Sequence, residues 1–300
     1  MASENHSYFA IWCYVAYAFG TFVVLLRLYT RLFVVTSLGV DDYFIIAATI
    51  CSTGITACIP FMFSLGIGKH IADLTTYEVN HGRKWAWCTQ IIYYLALGLI
   101  KTSIVCLYLR IASHPAHIKF LHILGALIFL HGVASTFATL GMCMPMSIVW
   151  SSTFPVGCID LLSFNYFNAA FHILTDMVLA LLPIPVLNNL QIEQAQRRGL
   201  VVIFGVIILA VAGTIARQVT NAIALNAGAE FSYEWAAAEL CTCIEVNMGL
   251  ICVSVPALQP LFKSTFRSWS SLKRSRDDSG SGVPYFRGTD TWDKSDAHTG

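Results

Sequence analysis

Charge is what this sequence has least of. Asp, Glu, Lys and Arg make up 12% of its 300 residues, against a hydrophobic share of 56%. Soluble domains carry about 25% charged residues, because water must be held at their surface. Half that share calls for an apolar solvent. The formal net charge of +1 gives no sign of a polyanionic partner, and no nucleic acid is expected. Metal clusters are also missing: His114, His117 and His122 lie near one another without a Cys or carboxylate beside them. Gly66 and Gly68 make a turn with no Gly-Lys-Ser after it to cradle phosphate. Neither a metal nor a cofactor is expected. No repeat of fixed period is visible. The ten cysteines do not form a secreted disulfide scaffold, because Cys13, Cys51, Cys58, Cys106, Cys241, Cys243 and Cys252 fall inside apolar runs, where Cys behaves as a small hydrophobe.

What is present is a series of seven long apolar runs, at about 8–26, 43–65, 86–109, 120–141, 166–187, 200–223 and 235–258. A helix crossing the hydrocarbon needs about 20 mostly apolar residues, and backbone in lipid must satisfy its own hydrogen bonds. The expected fold is therefore all-α, a seven-transmembrane helix bundle over residues 1–262, with the lipid bilayer as its first partner. The first run has no basic residue before it and Arg27 and Arg31 after it, the pattern of a signal-anchor helix that is retained. Pro115 separates runs three and four, Pro183 and Pro185 close run five, and Pro256 and Pro260 close run seven.

Basic residues in short loops set orientation. Arg27, Arg31, Arg110, Lys119, Arg197 and Arg198 lie after runs one, three and five, and Lys263, Arg267, Lys273, Arg274 and Arg276 follow run seven. The opposite side has Lys69, Arg83 and Lys84. Eleven against three puts the N-terminus outside and the C-terminus in the cytoplasm. Residues 263–300, rich in Ser, Asp, Gly and basic groups without apolar periodicity, are expected to be a disordered cytoplasmic tail. The 142–165 loop then faces the oxidising side. There Cys143 and Cys158 enclose 14 residues and are a candidate bridge; Cys88 is the rival partner for Cys158.

Charged side chains at a helix centre cost about 2.5–3.5 kcal/mol each on insertion scales, so those present are functional candidates. Lys101, Asp176, Arg217, Glu239 and Glu245 all fall inside runs. Depth, at about 1.5 Å per residue, groups Lys101 with Asp176 or Glu245 and Arg217 with Glu239. Asn165, Asn168, His172 and Asp176 share one face of run five, and Thr214, Arg217, Gln218 and Asn221 one face of run six. Tyr94, Lys101 and Tyr108 align on run three. One reading is a polar pocket opening outward between runs three, five, six and seven; the other is interhelical bonding that holds the bundle together. His172, one turn from Asp176, is the candidate for acid–base chemistry. Asp41 and Asp42, at the start of run two, are expected to pair with Arg27 or Arg31.

The order of several segments resembles the fungal rhodopsin-like domain family of seven-helix membrane proteins, the satratoxin-cluster type. These are Leu-Gly-Val-Asp-Asp-Tyr (38–43), Gly-Ile-Gly-Lys-His (66–70), Leu-Ile-Lys-Thr-Ser-Ile (99–104), Cys-Met-Pro (143–145) with Trp150, Gly-Cys-Ile-Asp (157–160), Ile-Leu-Thr-Asp (173–176), Ile-Glu-Val-Asn (244–247) and Pro-Ala-Leu-Gln-Pro-Leu-Phe (256–262). The resemblance marks Asn247 with the ion-pair residues, and His70 and Trp150 in the outer loops. It implies Asn where this chain has His172. It further implies a receptor-like or accessory integral membrane protein, multi-pass in the plasma membrane or an endomembrane, associated with fungal secondary metabolism and an unknown lipophilic small molecule. The alternative is a membrane-embedded enzyme, an acid–base cyclase or isomerase, with His172 and Asp176 as its catalytic pair. Light sensing is not expected, because Trp235 to Leu258 contains no Lys for a retinal Schiff base. Run three ends in Leu-Tyr-Leu-Arg-Ile rather than Asp-Arg-Tyr, so coupling to a G protein has no visible basis.

Overall fold

The computed structural model describes residues 2–112, 114–182, 194–227 and 230–278. Among them are seven α-helices: α1 (Ala2–Tyr29), α2 (Val40–Ser64), α3 (Thr76–Ile111), α4 (Pro115–Leu140), α5 (Leu161–Leu181), α6 (Gln194–Asn226) and α7 (Phe231–Asp278). Each falls on one expected run. Among the described residues, five segments are long and apolar enough to cross a membrane: Tyr8–Val34, Val40–Ser64, Thr76–Arg110, Pro115–Leu140 and Phe231–Leu258. In α5 the polar stripe of Asn165, Asn168, His172 and Asp176 dilutes an otherwise apolar helix.

Helix ends follow local chemistry. Thr75 and Glu78 close a reciprocal capping box at the start of α3, with Thr75 N donating to Glu78 Oε2 at 2.8 Å. Pro115 occupies the first turn of α4, where its missing N–H costs nothing. The Asp160 carboxylate caps α5 by accepting from the Leu162 and Ser163 amides and from the Ser163 hydroxyl; these bonds hold its pKa below the usual range. Pro183 and Pro185 lie outside the described residues. Pro256 and Pro260, expected to end the last span, instead lie within α7, which continues to Asp278. Membrane helices tolerate proline where neighbouring groups satisfy the freed backbone. The chain nonetheless divides into two compact units between Gln259 and Pro260. The first part of the 263–300 segment is thus helical to Asp278, and 279–300 lie outside the described residues.

Within the first unit α3 is the central element, packed against α2 and α4, while α1 packs on α2 and α5 on α6. The main core gathers Cys13 and Val24 from α1, Ile45 and Ile55 from α2, Tyr93 and Ile100 from α3, and Val246 and Leu250 from α7. Gly98 and Gly132 let α3 and α4 touch: a Cβ on Gly132 would stand 3.1 Å from the Gly98 Cα. Such small-residue contacts are a standard way for membrane helices to approach closely. Phe19, Phe22 and Leu25 on α1 and Ile123, Leu127 and Leu130 on α4 point outward, as lipid-facing surfaces require. Buried hydroxyls are satisfied along their own helices, as in Thr102 to Gly98 O at 2.7 Å and Ser254 to Leu250 O at 2.7 Å.

Candidate functional site

Four of the charges within the apolar runs, Lys101, Asp176, Arg217 and Glu245, converge into two clusters. In the first, Lys101 of α3 reaches α5: its Nζ lies 2.9 Å from Asp176 Oδ1. It donates to the His172 carbonyl and to Thr175 Oγ1, each at 3.0 Å. The His172 Nδ1 stands 3.4 Å away. Three oxygen partners leave Lys101 fully engaged, as a buried ammonium must be. Asp176 also accepts from Thr214 Oγ1 of α6 at 3.2 Å. His172 is buried among rings, edge-on to His131 at 5.4 Å, with Tyr94 6.1 Å away. Its Nε2 has no hydrogen-bond partner among the described residues.

The second cluster is centred on Arg217 of α6, which is fully buried. Its guanidinium lies over the Tyr93 ring, 3.6 Å from the centroid. Its Nε stands 3.6 Å from Glu245 Oε2, and it donates to Thr242 Oγ1 at 3.2 Å and to Gln90 Oε1 at 3.3 Å. Tyr93 closes the set by donating to Glu245 Oε2 at 2.9 Å. The depth argument placed Arg217 with Glu239; the guanidinium instead reaches Glu245. Glu239 faces Thr89, whose hydroxyl donates at 3.3 Å, and its Oε1 has no partner among the described residues. Asn247 stands apart from both clusters, accepting from Ser52 at 3.2 Å and donating to Cys243 O at 2.8 Å. It packs so close to Gly20 of α1 that a Cβ there would meet its side chain.

At the far end of the bundle Arg27 bridges Asp41 and Asp42, the latter at 2.9 Å, and also donates to the Val253 carbonyl. Arg31 adds a contact to Asp41 at 3.4 Å. All four side chains are buried, and they tie α1 to α2 and α7 as the sequence suggested.

Opposite them, the loop between α4 and α5 is closed by a disulfide between Cys143 and Cys158, so Cys88 remains a free thiol. Trp150 packs against Trp87 at 6.1 Å with the Lys84 ammonium 5.4 Å from its ring. The Arg83 guanidinium sits 5.3 Å from the Phe154 ring. His70 is exposed, stacked on Tyr233 at 4.4 Å and bonded to Glu230 at 2.8 Å, joining the α2–α3 and α6–α7 loops.

Beneath this loop lies a cavity of about 90 Å³. Met142, Val149 and Phe154 form its roof, and Trp87, Gln90 and Tyr94 its α3 wall. Asn165 of α5, Asn221 of α6 and Trp235 of α7 complete it. Helices three, five, six and seven thus all contribute, but Lys101, His172, Asp176, Arg217, Glu239 and Glu245 are not among its lining. The lining touches two of them: Gln90 binds Arg217 and Tyr94 faces His172. Sequence reading missed Gln90, Tyr93 and Trp235. The first two continue the Lys101 face upward by helical steps, and Trp235 begins an apolar run in which nothing marks it out. A larger depression of about 520 Å³ is walled by Val219, Ala222 and Ile223 of α6, with Val219 and Ile223 outward-facing.

No solved structure matches this chain. It is 26% identical over 215 residues to a SAT4 family membrane protein of Emericella nidulans, covering 70% of this chain and 54% of that protein. It is 22% identical over 260 residues to the fugralins biosynthesis cluster protein 2 of Gibberella zeae, covering 84% of this chain and 62% of that protein. The chain thus spans little more than half the length of these curated relatives. The fungal rhodopsin domain matches residues 26–264, from the Arg27 bridge through both charged clusters to the end of the apolar part of α7. By that match the chain belongs to the fungal rhodopsin domain family of membrane proteins.

Proposed function

We propose that this chain is a receptor-like or accessory membrane protein of fungal secondary metabolism that holds a small lipophilic molecule in the cavity under the 142–160 loop. The observation that carries this reading is the seat of that cavity. Its floor residues Gln90 and Tyr94 contact Arg217 and His172, so an occupant touches the groups on which the buried network turns. Pockets of this type, apolar with a few convergent polar groups, are the default ligand site of a helix bundle. The names of the relatives, one a biosynthesis-cluster protein, support the metabolic setting.

In this reading all seven helices cross the bilayer, the N-terminus and the disulfide-closed loop face outward, and the basic end around Arg27 faces the cytoplasm. The disulfide supports that orientation, since such bonds persist on the oxidising side. Two of the three basic residues on the minority side, Arg83 and Lys84, are held over loop aromatics, which gives them a local role there. A second reading, a membrane-embedded acid–base enzyme, draws on the unpartnered Nε2 of His172. Deleting the gene in its host and profiling metabolites separates the two. Loss of all products of the linked pathway supports the receptor or accessory role; accumulation of one uncyclised or unisomerised precursor replaces it with the enzyme.

A further inference from the structure

We propose that the cavity under the 142–160 loop takes a single aromatic ring bearing an oxygen acceptor, an aryl ketone or aryl carboxylate. The inference rests on the cavity reading above and adds the chemistry of the occupant. Its basis is a mismatch in the wall between donors and acceptors.

Three acceptors of the wall are already used by the protein. Gln90 Oε1 accepts from Arg217, and the Thr139 carbonyl accepts from Trp87 Nε1 at 2.7 Å. Asn165 Oδ1 accepts from Asn221 Nδ2. Two donors are left over: Trp235 Nε1 and Asn165 Nδ2 have no partner among the described residues. Both residues line the cavity and are buried, at 7% and 4% exposure. An indole N–H can only donate. Exchanging the amide atoms of Asn165 and Asn221 would leave the Asn165 oxygen unpaired in place of its nitrogen, so the indole N–H of Trp235, a donor in either case, carries the assignment. A buried donor without a partner carries its full desolvation penalty, which an acceptor oxygen brought by a ligand removes.

Charge points the same way. Arg83 is the charged residue among those lining the cavity, and no carboxylate is among them. Its Nη1 donates to the Ser151 carbonyl at 3.3 Å, which fixes it at the rim below the loop. A partial or full negative charge is therefore favoured inside, and an amine is not. The remaining surface is aromatic, supplied by Trp87, Tyr94, Phe154, Phe164, Phe231 and Trp235, faces and edges suited to a planar ring. The volume of about 90 Å³ is below the roughly 300–1,000 Å³ of sites for drug-sized ligands. It holds one ring, or the ring end of a longer molecule, and not a polycycle.

Acetophenone and ethylbenzene share a shape and differ in the acceptor oxygen; benzoate adds the charge. Binding of all three to the full chain in lipid nanodiscs is read by ligand-observed NMR, with empty nanodiscs as the baseline. Comparing each probe between wild type and variant cancels its partitioning into lipid, and the empty-nanodisc baseline corrects the comparison of one probe with another. Trp235→Phe removes the N–H and keeps an aromatic, though smaller, side chain in the wall, so ethylbenzene, which has no acceptor, serves as the control for the added space. The ratio of acetophenone to ethylbenzene affinity is expected to fall about fivefold or more in that variant, with ethylbenzene reporting the effect of the enlarged cavity on its own. Tighter binding of benzoate than of acetophenone assigns the carboxylate, and the reverse order assigns the neutral carbonyl. An unchanged ratio in Trp235→Phe, with ethylbenzene still bound, overturns the acceptor assignment and leaves the cavity reading intact. Retention of no probe above the empty-nanodisc baseline overturns both.

Discussion

The Arg217 guanidinium lies 3.6 Å from the centroid of the Tyr93 ring, and the hydroxyl of the same Tyr93 donates to the carboxylate that Arg217 faces. One aromatic side chain thus serves both members of the Arg217–Glu245 pair, its face to the cation and its hydroxyl to the anion. The arrangement spreads a buried charge pair over three helices, α3, α6 and α7.

Removing one member of a buried pair leaves an uncompensated charge, at a cost of about 3–5 kcal/mol. Arg217→Ala is expected to destabilise by that much, whereas Tyr93→Phe, which keeps the ring and loses one charge-assisted bond, costs about 2 kcal/mol. Thermal unfolding of the detergent-purified protein ranks them. Equal losses would mean that the Tyr93 hydroxyl, not the cation, holds the cluster.

The Lys101–Asp176 pair gives the second expectation. Lys101→Ala and Asp176→Ala both lower the amount of folded protein, by about 3 kcal/mol or more in stability. His172→Asn is milder, since it keeps the backbone carbonyl that accepts from Lys101 and gives up only the longer 3.4 Å contact of the ring nitrogen with the ammonium. Fluorescence-detected size exclusion of tagged variants checks the order. The metabolite profile of a deletion strain complemented with His172→Asn then reports on acid–base chemistry: an unchanged profile makes His172 a packing residue.

Orientation is tested with protease on intact cells. A tag after Gly300 should be protected and a tag inserted near Phe154 cleaved. Cleavage of the C-terminal tag would reverse the proposed topology.

The disulfide fixes the roof of the cavity. Without reduction, alkylation of the purified protein should label Cys88 and spare Cys143 and Cys158. Cys143→Ser with Cys158→Ser should cost about 3 kcal/mol in the loop-entropy account and loosen the loop that carries Val149 and Phe154. Mass mapping that finds both cysteines alkylated removes the bridge.

Helix positions were legible because the bilayer imposes a length: each apolar run had to reach about 20 residues, and each became a helix. The identities of the buried charges were legible for the same reason, since apolar runs expose every exception. Their partners were not. Depth along a helix follows from residue count, but azimuth does not. Glu239 and Glu245 stand roughly 120° apart around α7, and only the rotation of α7 in the bundle decides which meets Arg217. The cavity roof was less legible still. Val149 lies in a short 3-10 helix, Met146–Trp150, and Phe154 in the turns after it, segments too short for periodicity to link sequence to direction, and the proline pair Pro256 and Pro260 looked like a stop yet sits in a continuing helix.

The order of pairing along the chain has a consequence for biogenesis. Arg27 finds Asp41 and Asp42 on the next helix, so the first hairpin can enter the membrane with its charges already neutralised. Lys101 has no such neighbour: its acid, Asp176, arrives two helices later, and Arg217 waits for Glu245 on α7. A nascent chain halted after α4 therefore holds an ammonium in the membrane with its carboxylate still unmade, at a cost of about 2.5–3.5 kcal/mol on insertion scales. The same holds between α6 and α7 for Arg217, so the order of the helices leaves two intervals in which a charge precedes its partner.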